Sequence, residues 1–83
     1  MAASAELFKQ VRSHFVWSWK DNKLTGASEV RKKYKEKEWL GLNGVFNRAP
    51  WVRARKIKLV MKDFEPKAIK TIQNVADMIA SKE

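Results

Sequence analysis

Apolar residues recur along this chain mostly at steps of three and four, the period of amphipathic helices. Leu7, Phe8, Val11, Phe15 and Trp19 form the first such stripe, which predicts a helix over about 4–20 with Ser4 as its N-cap. Residues 21–26 supply turn chemistry, and Gly26 suits a left-handed or otherwise tight position. A second helix is predicted from Ser28, with Glu29 in its first turn, through Val30 and Tyr34 to Trp39. Residues 41–49 hold two Gly and two Asn and read as a loop, pinned to the core by Leu42, Val45 and Phe46. Pro50 then suits a first helical position, and Trp51, Ala54, Ile57, Met61 and Phe64 predict a third helix over 50–62. Asp63, Phe64 and Glu65 form a break, and Pro66 opens a fourth helix. Its apolar line is Ile69, Ile72, Ala76 and Ile79, with Ala68 and Val75 beside it and Lys70, Gln73, Asn74 and Asp77 opposite.

No segment alternates with the period of a strand, and no repeat or linker interrupts the pattern. The expected fold class is all-α: one domain over 1–83, a small bundle of about four helices with a helix-turn-helix-like order. A chain of 83 residues buries only about 60–65% of its unfolded surface, so its core must be rich in large side chains. Four Trp, four Phe and one Tyr supply them.

Cysteine is absent, which excludes disulfides and thiolate zinc sites, zinc fingers among them. The apolar runs are far shorter than the roughly 20 residues that cross a bilayer, and the first ten residues lack the order of a secretory signal. These features point to an intracellular protein. Met1-Ala2 has the composition of an added start, which would make the chain an excised domain.

Charge changes the picture more. Eighteen Lys and Arg against nine Asp and Glu give a net +9. Residues 1–19 carry a net +1 and residues 63–83 a net −1; residues 20–62 hold thirteen basic residues against Asp21, Glu29, Glu36 and Glu38, a net +9. The whole excess thus lies in one contiguous half of the chain. Like charges so concentrated repel one another, and a polyanion relieves that repulsion.

The catalytic inventory is nearly empty. His14, the one histidine, sits in an apolar helix and reads as structural. Most acids lie one to four residues from a base and read as surface ion pairs. Neither Gly41 nor Gly44 belongs to a phosphate-cradling motif. No enzymatic activity, metal or cofactor is expected.

The basic residues are the candidate site. Arg31, Lys32, Lys33 and Lys35 lie on the second helix, where Glu29, Glu36 and Glu38 are mixed among them. Arg48, Arg53, Arg55, Lys56, Lys58 and Lys62 follow in an interval without any acid between Glu38 and Asp63. Arginine can grip a guanine edge with two donors, so Arg53 and Arg55 at the start of the third helix are expected to read bases, assisted by Lys56 or Arg48. Lys58, Lys62, Lys32, Lys33 and Lys35 are expected to hold phosphates. Trp17, Trp19, Trp39 and Trp51 could stack on unpaired bases; their places on or beside apolar stripes favour the core instead, with Trp17 fitting worst.

The order of Trp17 and Trp19, Leu24 and Gly26, Ser28, Lys33-Tyr34, Trp39 and Arg53-x-Arg55-Lys56-Ile57 resembles the C-terminal DNA-binding domain of the yeast glycolytic-gene activators and the related osmotic-stress transcription factors. The resemblance covers about residues 15–64. It implies sequence-specific DNA binding in the nucleus, with Arg53, Arg55 and Lys56 facing the DNA. The expected partner is therefore double-stranded DNA, held by a third helix in the major groove, with structured RNA as the alternative. The expected compartment is the nucleus in a eukaryote and the cytoplasm or nucleoid otherwise. A protein-interaction domain that docks an acidic partner or dimerises through the fourth helix, whose Ile69, Ile72, Ala76 and Ile79 offer a stripe for a protein contact, is the rival from another class. A membrane surface is not expected, because the core needs the apolar residues.

Overall fold

Ser4 begins the first helix as its position predicts: its Oγ accepts a hydrogen bond from the Leu7 N–H (3.2 Å). In the computed structural model, which describes residues 3–83, this helix α1 spans Ala5–Trp19 and turns Leu7, Val11 and Phe15 into the core. Met1 and Ala2, and with them the reading of an added start, lie outside the described residues. Lys20 ends α1 in a left-handed conformation, φ 54°, and the Asp21 N–H closes the last turn on the Val16 carbonyl at 3.2 Å. Arg12 then fastens the following turn to the helix, donating from Nε to the Leu24 carbonyl (2.7 Å) and from Nη2 to the Asn22 carbonyl (2.8 Å).

The second predicted helix is broken. Val30–Lys33 form one 3-10 turn, Tyr34 and Lys35 are extended, and α2 covers only Glu36–Leu40. The spacing explains the break. In an unbroken helix Trp39 would lie about 140° around the axis from Tyr34. With the chain extended between them, both rings reach the core, 5.6 Å apart, and Trp39 is fully buried. Ser28 caps no helix; its Oγ accepts from the Thr25 N–H instead. Glu38 restarts the helix by accepting from the Lys35 N–H at 2.9 Å.

Residues 41–49, expected as a loop, contain α3, Leu42–Asn47. Gly41 keeps right-handed helical dihedrals (φ −71°, ψ −8°), so α2 and α3 make one bent rod. Leu42 and Phe46, one turn apart, are buried as expected, whereas Val45 remains exposed. The two Gly and two Asn lower helix propensity locally, but burial of that i, i+4 pair outweighs it.

Pro50 does open a helix, yet α4 ends at Ala54 rather than Lys62. Lys56 is left-handed (φ 56°), residues 57–60 are not helical, and a 3-10 turn covers Met61–Phe64. A helix over 50–62 could turn inward either Trp51, Ala54, Ile57 and Met61 or Val52 and Leu59, but not both sets. The left-handed residue resets the phase. Val52, Leu59 and Phe64 become fully buried, Trp51 and Ile57 half-buried, and Ala54 and Met61 exposed.

Pro66 lies in a turn, and the last helix, α5, begins only at Ile72 and runs to Ser81. Thr71 fixes that start: its Oγ1 accepts from the Asn74 N–H (3.0 Å) while Asn74 Oδ1 accepts from the Thr71 N–H (3.1 Å). Residues 26–31 lie along 70–73 through backbone bonds from Arg31 to Lys70 (3.0 Å), Ile72 to Ser28 (3.3 Å) and Gln73 to Gly26 (3.0 Å). Gly26 is not left-handed. It serves close approach, since a Cβ there would lie 3.1 Å from Gln73 Oε1 and 3.2 Å from the Phe8 ring.

Taken with α2–α3 as one bent body, four helical bodies surround the core, and no strand occurs among the described residues. The all-α small domain is as expected. Its interior holds an aromatic chain running Trp19, Phe15, Phe46, Phe64, Trp39 and Tyr34, with neighbouring centroids 5.6–6.1 Å apart. Ile72, Ala76 and Ile79 are fully buried in that core and Ile69 is half-buried. They therefore offer no docking face, and the expected protein contact through them is corrected.

Candidate nucleic-acid interface

Ten cations were singled out from the sequence, and the structure divides them. Lys32, Lys33, Lys35, Arg48, Arg53, Lys56, Lys58 and Lys62 are exposed. Arg31 and Arg55 are partly buried and engaged inside the molecule.

Arg55 is the clearest correction. Its Nε donates to Glu83 at 2.6 Å, and its Nη1 donates to the Trp51 carbonyl (2.8 Å) and to Gln10 Oε1 (3.3 Å). A guanidinium so used ties α4 to α1 and to the C-terminus. It is not free to grip a base edge. Arg31 donates from Nη1 to the Tyr34 carbonyl (2.9 Å), bracing the extended link between the 3-10 turn and α2, while its buried Nε has no partner among the described residues. Among the described residues the ion pairs are Arg55–Glu83 and Lys82–Asp63 (2.8 Å). None of the eight exposed cations takes part in either.

Asn47 organises one group of them. Its Oδ1 accepts from the Leu59 N–H and its Nδ2 donates to the Leu59 carbonyl, both at 2.8 Å, as a neighbouring strand would. This two-point grip fixes the extended chain at Leu59, the residue after Lys58, against Asn47, the residue before Arg48. Residues 57–60 then alternate, with Leu59 buried and Lys58 and Val60 exposed. The third helix expected to carry Lys58 and Lys62 does not reach them. Lys58 and Lys62 project from an irregular basic segment instead.

The second group surrounds the 3-10 turn. Lys33 places its Nζ 4.7 Å from the centre of the Trp19 ring. Lys70 was missed by sequence reasoning. The bond from Arg31 N–H to its carbonyl brings Lys70 beside Arg31 and Lys32, around an open cleft of about 300 Å³ that Glu29 and Pro66 also line. No periodicity could have shown this, because the pairing joins residues 39 positions apart that share no helix.

His14 behaves as the structural residue expected from the sequence. Its ring packs 4.6 Å from Phe46 and 5.2 Å from Phe15, and burial lowers its pKa from the usual value. Tyr34 is shifted the other way: burial raises its pKa, the Trp19 indole N–H, 3.3 Å from its hydroxyl, works against that, and Glu38 adds the smallest effect, a raising one. Trp19, Trp39 and Trp51 are buried or half-buried, in line with the core reading. Trp17 is not: it is 84% exposed. No helix among the described residues is long and apolar enough to cross a membrane.

With this geometry in hand, comparison with known proteins adds no relative: the chain matches no family model, no curated protein and no solved structure.

Proposed function

We propose that this chain is a nucleic-acid-binding module that acts by contacting phosphates, with duplex DNA the first partner and structured RNA the second. The observation that carries the reading is the set of eight exposed cations, all from the basic half of the chain, none of them neutralised by an ion pair among the described residues. Mutual repulsion among them disfavours the folded state, and a polyanion removes that cost while releasing counterions. The reading needs no catalytic group. In a eukaryote it would place the protein in the nucleus, and in a prokaryote with the nucleoid.

The mode of contact differs from the one expected of the sequence. Five residues of α4 span only about 7.5 Å, too short to lie along a major groove as a recognition helix. Arg53 is the exposed arginine of α4 that could still reach a base edge, while Arg48, Lys56, Lys58 and Lys62 lie on loops and turns suited to phosphates. Binding should thus depend strongly on salt and weakly on sequence. The resemblance to the yeast activators and osmotic-stress factors supports duplex DNA as the first probe. Its Arg53-x-Arg55-Lys56-Ile57 element, however, ends a short helix here instead of opening a long one.

The test is duplex affinity measured at several salt concentrations. About six phosphate contacts give a log–log slope near −5. A flat dependence rejects the proposal. Competition between DNA and RNA duplexes of equal length then separates the two partners.

A further inference from the structure

Among the described residues, the most exposed large hydrophobic side chain is an aromatic one on the wall of a groove, and the cation set does not explain it. Trp17 is 84% exposed. It lies on the face of α1 that also carries Gln10, Ser13 and His14, and together with Trp51 of α4 these residues line an open groove of about 520 Å³. Arg55 sets the groove's shape, since its bonds to Gln10 and to the Trp51 carbonyl hold α4 against α1. Trp51 is braced from behind by Phe46, edge to face at 5.9 Å.

We infer that the Trp17 end of this groove is a subsite for one unpaired nucleobase, adjoining the phosphate-contacting surface. The inference rests on the nucleic-acid reading and goes beyond it by naming unpaired bases as a preferred feature of the partner. An exposed indole gives a base of any identity a flat ring to stack on. Gln10 and Ser13 add hydrogen-bonding edges; Gln10 uses its carbonyl oxygen on Arg55, which leaves its amide N–H groups for a ligand. Burial lowers the His14 pKa, so at neutral pH its ring adds an apolar wall and no charge.

Charge selects the occupant. Aromatic grooves also take methylated lysines in basic peptides. A chain of net +9 repels such a peptide and attracts a polyanion. Lys9 also lines the groove, and Arg53 is exposed two residues beyond Trp51. The one carboxylate on the groove, Glu6, lies about three helical turns from Trp17, away from the proposed subsite.

The experiment compares binding of a blunt DNA duplex with binding of the same duplex carrying a short unpaired tail. Wild-type protein, Trp17→Ala and Trp17→Phe are used, with oligomeric state followed by sedimentation. Trp17 packs on almost nothing, so both variants fold. Wild type should favour the tailed duplex by about 5- to 150-fold, the span of stacking on one base. Trp17→Ala should lose that preference while binding the blunt duplex unchanged, and Trp17→Phe should retain most of it. Equal wild-type affinities, or a preference that survives Trp17→Ala, overturn the subsite and leave the phosphate reading intact. Self-association of wild type that Trp17→Ala abolishes also overturns it, by assigning the groove to a second copy. Failure to bind either duplex at low salt defeats the functional reading, and the subsite with it.

Discussion

Replacing Asn47 by Ala removes the contact that holds the irregular basic segment in place, and the structure allows its cost to be worked out. Leu59 is fully buried, and both of its backbone polar groups rely on the Asn47 side chain at 2.8 Å. In Asn47→Ala the Leu59 N–H loses its partner outright, which costs about 1–3 kcal/mol. The carbonyl keeps a weaker donor, Asn43 Nδ2 at 3.5 Å, so its share is smaller. The total comes to about 2–4 kcal/mol, against about 4–12 kcal/mol for a domain of this length. With a urea m-value of about 1 kcal/mol/M, the unfolding midpoint should fall by about 2 M or more. Asn47→Asp keeps the acceptor and loses the donor, so its midpoint should lie between those of wild type and Asn47→Ala. Equilibrium urea unfolding followed by tryptophan fluorescence gives all three values. A midpoint for Asn47→Ala within about 0.3 M of wild type refutes the reasoning, because it would mean that water or a shifted chain satisfies Leu59 equally well.

Three further perturbations test other parts of the fold. Gly44 lies inside α3 with nothing within 4 Å of an added Cβ, so Gly44→Ala should stabilise by about 0.5–1 kcal/mol, read as a rise in Tm. Thr71→Ala removes the side-chain cap of α5 and should destabilise by about 1 kcal/mol, measured by the same urea unfolding. Burial lowers the His14 pKa in the folded state, so the unfolded chain binds the proton more readily. The stability this neutral ring contributes is complete above the unfolded value near 6.5 and is lost as pH falls below it toward the lower folded value. Melts at pH 7.5 and 5 should show a larger loss for wild type than for His14→Gln, and equal losses would contradict the assignment.

Local periodicity made some elements readable from the sequence and misled at others. The stripe through Leu7, Val11 and Phe15 and the Ser4 cap define α1 without tertiary help. The second and third predicted helices failed where two apolar sets compete for one helical face: Tyr34 against Trp39, and Trp51 with Met61 against Val52 with Leu59. Propensity cannot arbitrate such conflicts, because the winner is the arrangement that fills the shared core. The same holds for the candidate site. Exposure of Lys32, Lys56 or Lys58 follows from composition, but the engagement of Arg55 with Glu83, Gln10 and Trp51 joins three distant parts of the chain.

The sequence alone determined that the chain is helical, that its core is aromatic and that its net excess of positive charge is concentrated in residues 20–62. These are sums over residues and steps of three or four, which need no knowledge of the fold. Tertiary structure decided which cations are free, that Lys70 joins Arg31 and Lys32, that the basic third segment is mostly not helical, and that Trp17 faces outward. Each of these depends on which distant group satisfies a buried polar atom or fills a space beside a ring, and that is settled only when the whole chain packs at once.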